Sequence, residues 1–308
     1  MSLDLKATVA VAASPARVFD ALIRPEELRA WFCEHAAVDP AAERYDFWGR
    51  HTPGVPTEAE GAHPLVEFDP PRRLSFTWAI RGGLSRVTWS VTPAGASGGT
   101  GGPGDAGALV EVLHTLPRGR SRREGALADF WAGALERLKA WLEHGIAGFQ
   151  TDFGQTPAAD LRLTTEIAAP AADVFRALVE PASLERWIAA PGKAAVEPRA
   201  GGAYEIGWGE EGGPVRILEI RPATSLSYSW RYKNEPDTVV TWTLEGSGGA
   251  TRLTIVHSGF ASTELHEPYL MGWGFFLNRI RLLVEAGQGR SAKVTGDDYE
   301  ESAVEGAV

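Results

Sequence analysis

Residues 11–32 read VAASPARVFDALIRPEELRAWF, and residues 167–188 read IAAPAADVFRALVEPASLERWI. At a constant offset of 156, ten of these 22 positions are identical, among them Val18/Val174, Phe19/Phe175, Pro25/Pro181, Leu28/Leu184 and Trp31/Trp187. The likeness continues in order. PPRRLSFTW (70–78) answers to RPATSLSYSW (221–230), pairing Leu74, Phe76 and Trp78 with Leu226, Tyr228 and Trp230. VTWSV (87–91) answers to VTWTL (240–244), and WAGALERLKAWLEHG (131–145) to WGFFLNRIRLLVEAG (273–287). A series this long and this ordered is a duplication, and self-similarity sets the domain plan. One copy occupies 1–145 and the other 161–287. Residues 146–160, rich in Gly and polar residues and without a period, read as the linker. The small and acidic residues of 288–308 read as a disordered tail.

Within each copy the periods change in a fixed order. Leu5–Val11 and Leu161–Ile167 alternate like strands. Ser14-Pro15 then offers a helix N-cap followed by proline at the first helical position. Copy two starts its helix more weakly, at Ala169-Pro170-Ala171. Pro25 and Pro181 break this short helix, and a second helical segment carries Leu28/Leu184 and Trp31/Trp187. Next come alternating strands: Leu74, Phe76 and Trp78 share one face, and Val87, Trp89 and Val91 alternate likewise with Thr88 and Ser90. Such alternation marks antiparallel strands with one buried face. Last, Trp131, Leu135, Leu138 and Leu142 form one helical stripe, as do Trp273, Leu277, Ile280 and Val284. Gly145 and Gly287 are placed to end those helices. A one-sided sheet and a one-sided long helix pack on each other. The fold class is α+β, two tandem domains, each a curved antiparallel sheet wrapped on a long C-terminal helix.

The quoted segments, together with TRLTIVHSGF (251–260) and GWGFFLNRI (272–280), resemble AHSA1-like domains of the START/Bet v 1-like superfamily. Copy two matches nearly end to end. Copy one has drifted, and its Tyr45-Asp46-Phe47 lacks the paired glycines found at Gly201 and Gly202. The resemblance implies a helix-grip fold with a cavity between sheet and helix. The superfamily holds lipid carriers, hormone receptors, polyketide cyclases and Hsp90 co-chaperone domains, so fold alone does not decide function.

The bulk numbers narrow the field. The 308 residues carry a net charge of −10. An acidic surface repels phosphate backbones and anionic lipid, so neither nucleic acid nor membrane is an expected partner. No secretory leader pattern and no long apolar run is present, and Cys33 is a lone cysteine. The expectation is a cytoplasmic protein.

Two features recur in both copies and become the candidate site. His114 is in phase with Val110 and Val112, and His257 with Leu253 and Ile255, so each imidazole faces the helix side of its sheet. Trp78, Trp89 and Trp131 recur as Trp230, Trp242 and Trp273. With Tyr204 and Tyr228 these line the expected cavity. Other features belong to copy one alone: the Gly-rich loop 95–107, which lacks the phosphate-loop ending, the basic cluster RGRSRRE (118–124), and Cys33-Glu34-His35. The histidines show no HxH or HExxH spacing, and there is no GxSxG nucleophile motif. No catalytic residue, cofactor or metal is expected. The reading that follows is a non-catalytic protein binding a small hydrophobic molecule. The alternatives are a cofactor-free cyclase or dehydratase using a cavity histidine, and a co-chaperone-like protein with an Hsp90 partner.

Overall fold

The structure is a computed structural model describing residues 3–80, 83–94, 107–116, 122–155, 159–209, 212–232, 236–262 and 266–296, with backbone only at 122–125 and 296. It divides into two compact units. The first holds the described residues up to Gln155 and takes back the segment from Ser291; the second holds those between, through Arg290.

The first unit runs β1 (Leu3–Val11), α1 (Pro15–Ile23), α2 (Pro25–Trp31), β2 (His35–Asp39), β3 (Arg44–Trp48), β4 (Leu65–Asp69), β5 (Arg73–Ile80), β6 (Gly83–Pro93), β7 (Ala108–Leu116) and α3 (Arg122–His144). The second runs β8 (Leu161–Ile167), α4 (Ala171–Val179), α5 (Pro181–Trp187), β9 (Ala195–Val196), β10 (Tyr204–Glu205), β11 (Gly212–Arg221), β12 (Ser225–Tyr232), β13 (Thr238–Ser247), β14 (Ala250–Ser258) and α6 (His266–Ala286). The last strand, β15 (Lys293–Gly296), belongs to the first unit. Both units thus follow the expected order of strand, two short helices, strand meander and long helix. The large sheets are antiparallel, ordered β15-β1-β7-β6-β5-β4 and β11-β12-β13-β14-β8. Among the described residues no helix is long and apolar enough to cross a membrane.

Local chemistry explains the element ends. Ser14 accepts a hydrogen bond from the Arg17 amide at 3.3 Å and Pro15 opens α1. At α4, Pro170 holds the cap position and no side chain caps the helix, so the weaker start is real. Gly145 and Gly287 adopt φ of +68° and +65°, the left-handed region where glycine carries no Cβ penalty. The Gly145 and Gly287 amides donate to the Trp141 and Leu283 carbonyls, an αL ending in both units, and the next amides, of Ile146 and Gln288, reach Ala140 and Leu282.

Two differences from the sequence expectation follow. The stripe on α3 is too narrow: Ala126, Ala128, Phe130, Ala132, Glu136 and Arg137 are buried as well. Part of the reason is residues 146–155, which fold onto the first unit. There the Phe149 carbonyl accepts from Arg137, and Phe153 packs on Phe130. The second is a correction. The segment from 288 is not a disordered tail over its described part. Lys293, Val294, Thr295 and Gly296 pair antiparallel with Thr8, Ala7, Lys6 and Leu5. Backbone ladder bonds and the burial of Val294 hold it. Ser291 and Ala292 also donate their amides to the buried Glu136 carboxylate, at 3.2 and 3.4 Å. Residues 297–308 lie outside the described residues.

Candidate functional site

The in-phase histidines sit where their strands put them. His114 lies opposite Val87 and Leu5, and His257 opposite Val240 and Leu161. Both are fully buried. In each unit the long helix delivers a tryptophan to the imidazole. Trp131 Nε1–H donates to His114 Nδ1 at 3.0 Å, and Trp273 Nε1–H to His257 Nδ1 at 2.9 Å. An indole nitrogen only donates, so Nδ1 is the acceptor and the ring proton sits on Nε2. That proton faces Ser85 Oγ at 2.8 Å and Thr238 Oγ1 at 2.7 Å. Each hydroxyl in turn donates to a strand carbonyl, Ser85 to Trp78 and Thr238 to Trp230. A relay of tryptophan, histidine, hydroxyl and carbonyl is therefore built twice. Ser85 and Thr238 are partners that sequence reasoning did not find; their signal was the matching place two residues before VTW.

Other repeated bonds hold the short helices against this centre. Trp31 and Trp187 donate to the carbonyls of Ala21 and Ala177 at 3.1 and 2.8 Å. Tyr45 and Tyr204 donate to Leu22 and Leu178, both at 2.7 Å. Burial holds these two phenols well above their ordinary range, so they remain donors. Arg137 and Arg279, on the long helices, reach the carbonyls of Trp31 and Trp187 at 2.9 and 3.4 Å. Burial draws Arg137 down to about 10, opposed by Glu136, which leaves it charged at neutral pH.

The predicted tryptophans and tyrosines are all buried, and they meet around the histidines. Trp131 contacts Trp78 and Trp89 edge-on, with centroids 5.8 and 5.5 Å away. Trp273 contacts Trp230 and Trp242 at 5.0 and 5.8 Å. Tyr204 stacks on Tyr228 at 4.7 Å, and Tyr228 accepts the Trp242 indole N–H at 3.0 Å. The copies differ in detail. Trp78 stacks flat on His114, with 12° between planes, whereas Trp230 stands at 66° to His257. Around His257 lie Phe260 and Tyr269, and beyond them His266, none of which the sequence pattern marked.

Among the described residues, two buried indole N–H groups have no protein acceptor: Trp89 Nε1 and Trp230 Nε1. The first has a local explanation, since the position of Tyr228 is Phe76 in the first unit and the hydroxyl is missing. Trp230 has none of that kind.

Among the described residues, the Cys33-Glu34-His35 trio private to copy one does not converge. Cys33 is buried, its thiol pushed up by desolvation and directed at the Leu28 carbonyl. Glu34 instead binds Arg50, and His35 stacks on Trp48. Among the described residues no group of metal-ligating side chains converges. Residues 95–106 of the Gly-rich loop and 118–121 of the basic cluster lie outside the described residues.

The family described as Activator of Hsp90 ATPase homolog 1-like protein matches twice, over residues 12–143 and 168–285. Among solved structures, protein CV1439 from Chromobacterium violaceum is similar at 27% identity, over 41% of this chain and 97% of that one, with a TM-score of 0.35. CalU16 from Micromonospora echinospora is similar at 25% identity, over 41% of this chain and 73% of that one, with a TM-score of 0.36. DynU16, from the dynemicin biosynthetic locus, is similar at 16% identity, over 89% of this chain and 96% of that one, with a TM-score of 0.34. No curated protein matches the chain. The double match covers most of the sequence, and the chain belongs to the AHSA1 family, with two copies of its domain in tandem.

Proposed function

We propose that this protein binds a small hydrophobic molecule between a sheet and its long helix, and does so without transforming it. One observation carries the reading. Trp230 is buried among aromatic rings on the helix-facing side of its sheet, and its indole N–H has no acceptor among the described residues. A buried unpaired donor costs about 1–3 kcal/mol, and an acceptor on a bound molecule removes that cost. The histidines support the non-catalytic half. A general base needs an available lone pair, and the Nδ1 lone pair of each imidazole already accepts from a tryptophan. The proposed ligand is soluble; nucleic acid and membrane surfaces do not suit a net charge of −10.

Titration of the full chain with 1-anilinonaphthalene-8-sulfonate tests this. Saturable fluorescence enhancement at neutral pH on the folded protein is the expected result. A merely linear rise with dye, like that of a protein without an interior site, overturns it.

A further inference from the structure

We infer that the ligand site lies in the second unit alone, with Trp230 as its hydrogen-bond donor, and that the first unit is closed by its own phenyl rings. This rests on the ligand-binding reading above and specifies where and how it is met.

The repeated bonds fix the correspondence between the copies position by position. Trp31 corresponds to Trp187, Tyr45 to Tyr204 and Trp131 to Trp273, each pair making the same hydrogen bond. On that register Phe32, Phe47 and Phe130 become Ile188, Ile206 and Gly272. In the first unit the three phenyl rings fill the space beside Trp78 and Trp131. Phe32 lies 5.1 Å from Phe47 and 6.0 Å from Phe130, and it stacks on Trp131 at 6.0 Å. Trp78 touches Phe47 at 5.5 Å and Phe130 at 6.1 Å. His63 packs against Phe47 at 4.1 Å. Phe153 then covers Phe130 from outside, at 6.2 Å. That interior is full of the chain's own rings.

The second unit has two branched aliphatic side chains and a hydrogen in those three places. Gly272 stands inside α6, where glycine costs roughly 0.5–1 kcal/mol relative to alanine, so helix propensity does not explain the missing side chain there. Trp208 and Phe276 stand where the first unit has Gly49 and Ala134. Both contact the central rings: Trp208 meets Trp230 at 5.6 Å and Phe276 at 5.9 Å, and Phe276 meets Trp187 and Trp273 at 6.0 and 5.9 Å. Phe276 and Gly272 remain partly exposed. An aromatic wall therefore runs from the surface to Trp230.

The five tryptophans of this unit then identify the polar contact. Trp187 donates to Ala177, Trp208 to Ile188, Trp242 to Tyr228 and Trp273 to His257. Only Trp230, 3% exposed, keeps an N–H without a protein acceptor among the described residues. Aromatic walls favour a ring-bearing ligand, held by offset and edge contacts, and the indole requires an acceptor such as a carbonyl oxygen. The ligand class is an uncharged aromatic molecule with one acceptor placed for Trp230.

Isothermal titration of the full chain with 9-fluorenone and with fluorene tests this, since the two share a ring system and differ in the carbonyl. The expected result is one fluorenone per chain, bound about three- to tenfold more tightly than fluorene, the range of a single net hydrogen bond. Trp230→Phe should abolish the difference between the probes. Gly272→Phe should weaken fluorenone at least tenfold; if near-ultraviolet circular dichroism shows that variant misfolded, Ile206→Phe supplies the first unit's ring at a second position. Two equivalent sites per chain, or unchanged fluorenone binding in the folded plugging variants, overturns the placement. Equal affinity of the two probes, or dye binding without fluorenone binding, overturns the ligand class. Failure of both probes and of the anilinonaphthalene dye removes the underlying reading as well.

Discussion

The indole N–H of Trp273 donates to Nδ1 of His257 across 2.9 Å, joining the long helix to the strand next to the edge of its sheet. The first unit repeats the bond between Trp131 and His114. Because Thr238 completes the chain on the other ring nitrogen, its hydroxyl is the least bulky place to break the relay. Thr238→Val keeps the shape and removes the hydroxyl that links His257 Nε2 to the Trp230 carbonyl. It is expected to destabilise the protein by about 1–3 kcal/mol, read as a lower urea midpoint, while Thr238→Ser restores most of the loss. Equal stability of the Val and Ser variants would show that the relay constrains nothing.

Tyr228 and Phe76 offer a natural exchange. Both stack on the tyrosine that caps the first short helix, Tyr204 and Tyr45, at 4.7 and 4.8 Å. Only Tyr228 has a hydroxyl to accept from the neighbouring tryptophan. Tyr228→Phe should therefore cost about 1–2 kcal/mol by orphaning Trp242, as Trp89 is orphaned now. Phe76→Tyr should return up to about 1 kcal/mol to the first unit. Paired thermal unfolding measurements decide it, and a destabilising Phe76→Tyr would mean the first unit lacks room for the oxygen.

Much of this was legible in the sequence, and the reasons are local. Strand period 2 placed His114 and His257 inward, and helical period placed Trp131 and Trp273 opposite them, because periodicity encodes direction. The hydroxyls of Ser85 and Thr238 escaped notice because their meaning depends on cross-strand register, 29 and 19 residues from the histidines they serve. The exchange of Phe130 for Gly272 was written in the aligned helices, yet only the packing beside Trp78 gives it weight. β15 was invisible for a different reason. A four-residue edge strand with one buried side chain, Val294, is too short to show a period.

His63 sets an acid limit on the first unit. It is buried against Phe47, its Nε2–H facing the Phe47 carbonyl at 3.2 Å, and desolvation lowers it from 6.5 to about 4. Below pH 6.5 the unfolded chain takes up a proton that the folded chain refuses until about pH 4. Stability is thus unaffected above that window and falls as the pH drops through it, by about 3 kcal/mol in all. His51 is lowered too, again chiefly by desolvation, so the wild-type slope has more than one source. Urea unfolding at stepped pH should show His63→Gln with a lower plateau at neutral pH and a shallower decline between pH 6.5 and 4. Parallel curves for the two proteins would refute the assignment.

The strand Lys293–Gly296 protects an edge of the first unit's sheet. Without it, β1 would present unpaired backbone groups at alternate residues of the stretch Leu5 to Thr8, which is in register with it. Ser291 and Ala292 anchor its approach by donating to Glu136, a carboxylate fully buried on α3. Ending the chain after Arg290 removes both contributions, and an open edge invites pairing with other chains. Hydrogen exchange should then accelerate about tenfold or more at the β1 amides facing the missing strand, while β5 and β6 keep their protection, because edge opening is local. Glu136→Ala in the full chain should give a smaller change of the same kind, since it loosens the anchor and leaves the ladder in place. Unchanged exchange in the truncated chain would mean that β1 needs no partner on that side, and that Glu136 is held by α3 and its other neighbours alone.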